Sequence, residues 1–371
     1  MKIIILKDNL LSSLNSVEKS IGSGENLRIL KNIKIEASDN NQINFTSTDL
    51  ELAIEHTSSG KVVDKGVVVA PFDILSRIVK NISSEKIHLE YRDRKLTIKA
   101  DNYEGVINCG NPNEYPIIPT IQDKSKSLVI NSEILKNTLD RVSTATQYSE
   151  IRPEINGVYF NLENNQLTLA GTDSFRLIEE VLSESQVTSN FESLEVIIPL
   201  RTVESVLKII GGEGDVEIFT DSNQILFKNE EKSVISRLVD GEFPDYKSVI
   251  PKESNKEIQV SREELINAVK LTRVFTGKAN DIVFKLSKDG KVLEVYSVSD
   301  TIGENTYRVP ISTKGEKGEI EFSFNWKYVL DGLKVYRSED VILGLNEPEK
   351  PVTIKTKKER KVVYVVMPIR K

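Results

Sequence analysis

The sequence predicts an α+β fold made of three tandem copies of one domain, each with two helices and several short antiparallel strands. Two observations carry that reading. Three kinds of element recur in the same order, and they recur at an interval near 126 residues. Stacked solenoid repeats run about 20–50 residues, so the longer interval points to duplicated domains. The boundaries fall near 120 and 250, giving domains over residues 1–120, 121–250 and 251–371.

The first run, Lys2-Ile3-Ile4-Ile5-Leu6, is too short for a secretion signal and reads as a β-strand. A helix opens each copy. Leu10, Leu14 and Val17 follow Asp8; Leu135, Leu139 and Val142 follow Asn131; Leu265, Val269 and Thr272 follow Ser261. The i, i+4, i+7 spacing makes one apolar stripe, and Asp, Asn and Ser suit the N-cap because their side chains accept from free N–H groups. Next comes an alternating strand: Gln42-Ile43-Asn44-Phe45-Thr46-Ser47-Thr48-Asp49 resembles Gln166-Leu167-Thr168-Leu169-Ala170-Gly171-Thr172-Asp173. Val292-Leu293-Glu294-Val295-Tyr296 begins a weaker third copy. Alternation marks strands with one buried face.

A second helix begins with proline at its expected first position in two copies, at Pro71 and Pro199, and runs to Lys80 and Lys208. Its third copy is Asn325 to Lys334. Glu114-Tyr115-Pro116 matches Glu242-Phe243-Pro244, again following strand-like runs.

Composition narrows the function classes. No stretch approaches the roughly 20 apolar residues of a membrane span, so no membrane partner is expected. Cys109 is the single cysteine, which precludes an internal disulfide and fits a reducing cytoplasm. With only His56 and His88 beside it, the chain lacks the material for a usual zinc site or an activated thiol. Acidic residues do not recur with metal-ligand spacing. Gly211-Gly212-Glu213-Gly214 follows a helix and lacks the Lys-Ser/Thr of a phosphate loop, so it reads as a turn. No catalytic residue, metal or cofactor is therefore expected.

Net charge is −6, which opposes phosphate binding for the chain as a whole. The charge is nevertheless segregated: the six helical windows together are net positive and the remainder is strongly acidic. On the second helix of each copy a polar stripe recurs as Asp73, Arg77 and Lys80, then Arg201, Ser205 and Lys208, then Lys327, Asp331 and Lys334. A surface lined by such helices attracts phosphates through a few loose, sequence-independent contacts. An adhesive β-rich repeat protein would share the domains but not this segregation.

Four motifs, in order, then carry a resemblance. They are Arg152-Pro153-Glu154-Ile155-Asn156-Gly157-Val158, Gly171-Thr172-Asp173-Ser174-Phe175-Arg176-Leu177, Leu238-Val239-Asp240-Gly241-Glu242-Phe243-Pro244-Asp245-Tyr246, and Tyr364-Val365-Val366-Met367-Pro368-Ile369-Arg370. Over essentially its whole length the chain resembles the bacterial DNA polymerase III beta subunit, the sliding clamp family. That resemblance implies three DNA-clamp domains per chain and a head-to-tail homodimeric ring around duplex DNA. It implies partners in the polymerase III alpha subunit, the clamp loader and other proteins bearing a clamp-binding motif. A peptide pocket is implied at Thr172, Phe175, Arg176 and Leu177, at Pro244 and Val249, and at Val365, Met367, Pro368, Ile369 and Arg370.

DNA contacts are expected from Arg77, Lys80, Arg152, Arg201 and Lys208, and from Lys270, Arg273, Lys334 and Arg337. The same resemblance implies dimer contacts at Ile107, Val274 and Phe275. Four positions depart from the family pattern. Phe175 replaces a usual histidine, Gly24 stands where a basic residue is common, and Pro153 and Glu154 replace paired tyrosines.

Overall fold

The structure, a computed structural model, describes residues 1–24, 27–278, 280–315 and 318–370. Among the described residues, six α-helices span Lys7–Val17 (α1), Phe72–Asn81 (α2), Ser132–Ser143 (α3), Leu200–Ile209 (α4), Arg262–Thr272 (α5) and Trp326–Lys334 (α6). All nine stripe residues of α1, α3 and α5 are at most 1% exposed. Each buried leucine or valine of this kind contributes about 1.5–3 kcal/mol, so the stripes set which face of each helix turns inward.

The helix starts differ in detail from the expected ones. Asn131 Oδ1 accepts from Glu133 N at 3.0 Å, and Ser261 Oγ accepts from Glu264 N at 3.4 Å, so both cap as their residue types suggest. Asp8 does not. α1 already begins at Lys7, whose N–H donates to Glu85 O at 2.8 Å, and Asp8 sits inside the first turn. Pro71 and Pro199 each end a strand, one residue before the helix. Their carbonyl-side neighbours enter the helix while the proline rings stay paired in register opposite Asn32 and Gly157.

The chain divides into two compact units. The first comprises Met1–Lys136, Gln186–Phe191 and Arg201–Leu238. Its five-stranded sheet runs in the order Lys61–Asp64, Lys2–Leu6, Lys86–Arg92, Lys95–Ala100, Tyr103–Asn108. Its nine-stranded sheet contains the antiparallel pair Lys232–Arg237 and Leu52–Ser59, which joins strands of the first and second repeats.

The second unit comprises Asn137–Ser185, Glu192–Leu200 and Val239–Lys371. Its nine-stranded sheet pairs Arg176–Leu182 with Val362–Val366, joining the second and third repeats in the same way. A four-stranded sheet runs Gly303–Pro310, Val292–Ser299, Asp281–Leu286, Ile320–Asn325.

The repeated Thr-Asp motif has a local cause. Thr172 Oγ1 accepts from Ser174 N at 3.1 Å and donates to Arg176 O at 2.7 Å, while Asp173 Oδ1 accepts from Phe175 N and Arg176 N, both at 3.0 Å. Thr48 and Asp49 hold Leu50, Glu51 and Leu52 through the same four bonds. Both turns place a non-glycine residue in the left-handed region, Leu50 at φ 80° and Ser174 at φ 78°. Such a conformation is uncommon, and the side-chain network offsets its cost twice.

His56 offers a test of the first unit. It is buried in strand Leu52–Ser59, with Nδ1 3.1 Å from Ser16 Oγ. Burial, and then the charge of Lys232 opposite it, lowers its pKa from 6.5 to about 4. Protonation therefore favours the unfolded chain. The stability tied to the neutral ring is fully present above the unfolded value of 6.5 and is lost as pH falls through about 4. His56→Gln is expected to flatten the loss of stability across that window, read by denaturant unfolding at a series of pH values. An unchanged slope would assign acid sensitivity to other groups.

Candidate peptide pocket and helical cation faces

A cavity of about 200 Å³ opens in the second unit. Strand Gln166–Thr172 and its turn supply Thr172 and Ser174, the next strand supplies Arg176 and Leu177, and Val365 and Met367 come from the last strand and its exit. The segment from Pro244 to Val249 forms the opposite wall with Asp245 and Tyr246. Leu177 and Val365 are directly paired across the sheet, so they present one apolar floor. Tyr246 is fixed by its hydroxyl, which donates to Glu179 Oε2 at 2.8 Å, and by edge-on packing against Phe243 and Tyr159. Burial, followed by Glu179, pushes the Tyr246 phenol well up, so it stays a donor.

Seven of the expected pocket residues thus converge, although they come from three distant segments. Four do not line the cavity. Phe175 is 60% exposed and stacks on Tyr328 at 6.5 Å. Pro368 is buried, Ile369 donates its N–H to Ser323 O at 2.7 Å, and Arg370 is exposed beyond it. The tail is therefore tied down by packing. Its apolar composition has a core explanation, since Val365 and Val366 are each 1% exposed. Sequence reasoning missed Ser174, Asp245 and Tyr246 as pocket residues. Tyr246 was visible as the end of the Phe-Pro-Asp-Tyr motif, but its role depends on a turn that only folding brings to the sheet.

Arg152 also belongs to this cavity rather than to a free basic face. Its Nε donates to Glu154 Oε1 at 2.8 Å and its Nη1 donates to Ser174 Oγ at 2.9 Å. Arg176 is held more tightly. Its side chain is 10% exposed, with Nε 2.9 Å from Asp173 Oδ2, Nη1 2.6 Å from Asp331 Oδ2, and Cζ 4.7 Å above the Tyr328 ring.

On the helices, Lys80, Lys208 and Lys334 occupy equivalent positions of α2, α4 and α6, and all three are exposed. Arg77, Lys270 and Arg337 are exposed as well, although Arg337 also donates to Asn137 Oδ1 at 3.1 Å. Arg273 is exposed yet lies over the Trp326 ring at 4.9 Å. Arg201 is not free: its guanidinium pairs with Asp49 and donates to Lys19 O at 3.2 Å. The expected polar stripe holds at Arg77 in the first copy and breaks at its middle in the second and third. Ser205 is 4% exposed and donates back to Arg201 O, leaving Glu204 on the outside, and Asp331 turns to Arg176.

The expected dimer contacts also need one correction. Ile107 is 4% exposed, whereas Val106 beside it is 58% exposed. Successive strand side chains point to opposite faces, so in the edge strand Tyr103–Asn108 the core takes Ile107 and Val106 points out. Val274 is 62% exposed and Phe275 is half-buried. No described helix is long and apolar enough to cross a membrane.

Comparison with known proteins agrees along the whole chain. Family models for the N-terminal, central and C-terminal domains of the DNA polymerase III beta subunit match residues 1–119, 129–245 and 247–370. The beta sliding clamp of Bacillus subtilis (strain 168) is 30% identical over 382 residues, covering 100% of both chains. That of Staphylococcus aureus (strain Mu50) is 30% identical, covering 100% of this chain and 99% of the relative. The crystal structure of the Bacillus subtilis DNA polymerase sliding clamp superposes with a TM-score of 0.93 at 28% identity, over 100% of this chain and 99% of that one. A Pseudomonas aeruginosa sliding clamp gives 0.92 at 25% identity over 100% of both. With three tandem clamp domains and full-length likeness, the chain belongs to the DNA polymerase III beta subunit family, the beta sliding clamps.

Proposed function

We propose that the chain works as a head-to-tail homodimeric ring that encloses duplex DNA and holds a DNA polymerase on it. The family is a non-catalytic accessory subunit of the polymerase and acts as its processivity clamp. The observation that carries the reading here is the exposed lysine at the same helix position in each repeat: Lys80, Lys208 and Lys334. One cation per domain gives weak, sequence-independent phosphate contacts that favour sliding over tight binding. Arg77, Lys270, Arg273 and Arg337 add further exposed cations, while Arg152 and Arg201 are paired first with Glu154 and Asp49.

In this reading the domains divide near residues 120 and 250, and rings close through the edge strands Tyr103–Asn108 and Gly303–Pro310, which stand at the ends of their sheets. An unpaired edge offers a row of free N–H and C=O groups to a second chain. The cavity at Leu177, Val365 and Met367 receives peptides from the polymerase alpha subunit, the clamp loader and other motif-bearing proteins. Such work takes place in the cytoplasm. Loaded by a clamp loader onto nicked circular DNA, the ring is expected to stay bound at salt that removes ordinary DNA binders and to leave when the circle is cut. Equal retention on linear and circular DNA would count against the ring, since chemical affinity would then be holding the protein.

A further inference from the structure

The first unit carries a second groove, built like the cavity of the second unit. Its floor is the strand pair Leu52–Ser59 and Lys232–Arg237, in which Ala53 is paired with Ile235 as Leu177 is paired with Val365. The same Thr-Asp turn adjoins each floor, at Thr48 and at Thr172. Counting on from Glu114-Tyr115-Pro116 and from Glu242-Phe243-Pro244, Ile118 matches Tyr246 and Ile121 matches Val249. The two grooves are nevertheless filled differently. Val249 is 42% exposed at the rim of its cavity, whereas Ile121 is 2% exposed and packs with Ala53, Leu226 and Ile235. Resting on the peptide-pocket reading, we infer that the groove of the first unit is a second peptide site held shut in cis by residues 118–121, so that each chain takes one peptide instead of two.

The segment has the form of a tethered ligand. Ile118 and Ile121 pack into the groove, while Ile117, Pro119 and Thr120 are exposed. In the second unit Tyr159, Phe243 and Tyr246 form an aromatic block beside the floor. In the first unit Lys34 stands at the register of Tyr159 and Ile118 at that of Tyr246. Tyr115, the counterpart of Phe243, instead turns its hydroxyl inward and donates to Thr46 O at 3.2 Å. The smaller floor residue, Ala53 against Leu177, leaves room for the side chain of Ile121. A cavity of about 160 Å³ remains beside the plug. A segment on so short a tether competes at an effective concentration of roughly millimolar, which excludes a free peptide of ordinary affinity.

The test uses the full-length chain and a synthetic peptide of the linker itself, residues 116–122, Pro-Ile-Ile-Pro-Thr-Ile-Gln. Binding at the first groove is read by the δ1-methyl resonance of Ile235 in isoleucine-labelled protein, and stoichiometry by calorimetry. Native protein should show no response of that methyl. The double variant Ile118→Ala, Ile121→Ala should take one peptide per chain there, at least about tenfold tighter than native protein, because both anchors of the tethered competitor are gone. Adding Met367→Asp, which disables the cavity of the second unit, should leave the Ile235 shift unchanged. A double variant that is folded by circular dichroism and whose Ile235 methyl does not respond would overturn the inference, and Ile118 and Ile121 would then be ordinary packing. If the double variant does not fold, Ile118→Ala alone changes only a half-buried residue and should give a smaller gain; no gain there overturns the inference equally. A peptide with a Gln and a Leu-Phe pair, titrated on native protein, tests the parent reading separately. Its failure to bind would remove the pocket of the second unit, while the Ile235 response still decides the first groove.

Discussion

Met367→Asp is expected to abolish binding of a clamp-binding peptide and stimulation of the polymerase, while the protein still dimerises. Met367 lines the cavity beside Val365 and is only half-buried, and its N–H donates to Phe175 O at 2.8 Å, a bond that any residue can make. A carboxylate placed there must be desolvated by the incoming apolar side chain, at a penalty of several kcal/mol. The affinity should fall by more than about 100-fold on that basis. Met367→Ala should be milder, about 1–3 kcal/mol, the loss for truncating one anchor of a small pocket. Val249→Asp, on the exposed rim at 42%, should act in the same direction. Removing residues 367–371 is a blunter change, because it also takes away buried Pro368 and the bond from Ile369 to Ser323. Fluorescence polarisation with a labelled peptide and primer-extension length report the two readouts. Native-like binding by Met367→Asp would place the peptide site elsewhere.

Val106→Arg and Val274→Arg are each expected to convert the dimer to monomers at micromolar concentration, as read by sedimentation velocity. Both side chains are mostly solvent-exposed in the single chain, at 58% and 62%, so the folded monomer tolerates the charge. In a ring the same charge is buried without a partner, and several kcal/mol of association energy are lost. Retention on circular DNA should vanish in parallel. Ile107→Ala is the control. Its side chain is already inside the first unit, so it should lower the unfolding free energy by about 2–5 kcal/mol with a smaller effect on association. Dimers that persist in both arginine variants would move the interface away from these elements.

Much of this architecture is legible in the sequence because the relevant forces are local. A stripe at i, i+4, i+7 buries itself whatever it meets, and the nine stripe residues of α1, α3 and α5 did so. The Thr-Asp turn recurs because its hydrogen bonds close within five residues, at Thr48 to Leu52 and at Thr172 to Arg176. Short-range chemistry also set the caps at Asn131 and Ser261, though not at Asp8, where a long-range bond from Lys7 to Glu85 decided the start.

What the tertiary structure alone decided is the use of each charge and the phase of the edge strand. Alternation in Tyr103–Asn108 distinguishes two faces but not which one meets the core, so Val106 and Ile107 exchange roles only once the sheet is packed. A row of cations on helices shows where positive charge accumulates. It does not show that Arg201 is held by Asp49, or Arg176 by Asp331, because partners this far apart in the chain meet only through folding. The pocket has the same origin. Its walls come from segments that share no local signal, and Tyr246 and Met367 face one cavity because antiparallel pairing of strands Arg176–Leu182 and Val362–Val366 brings the second and third repeats together.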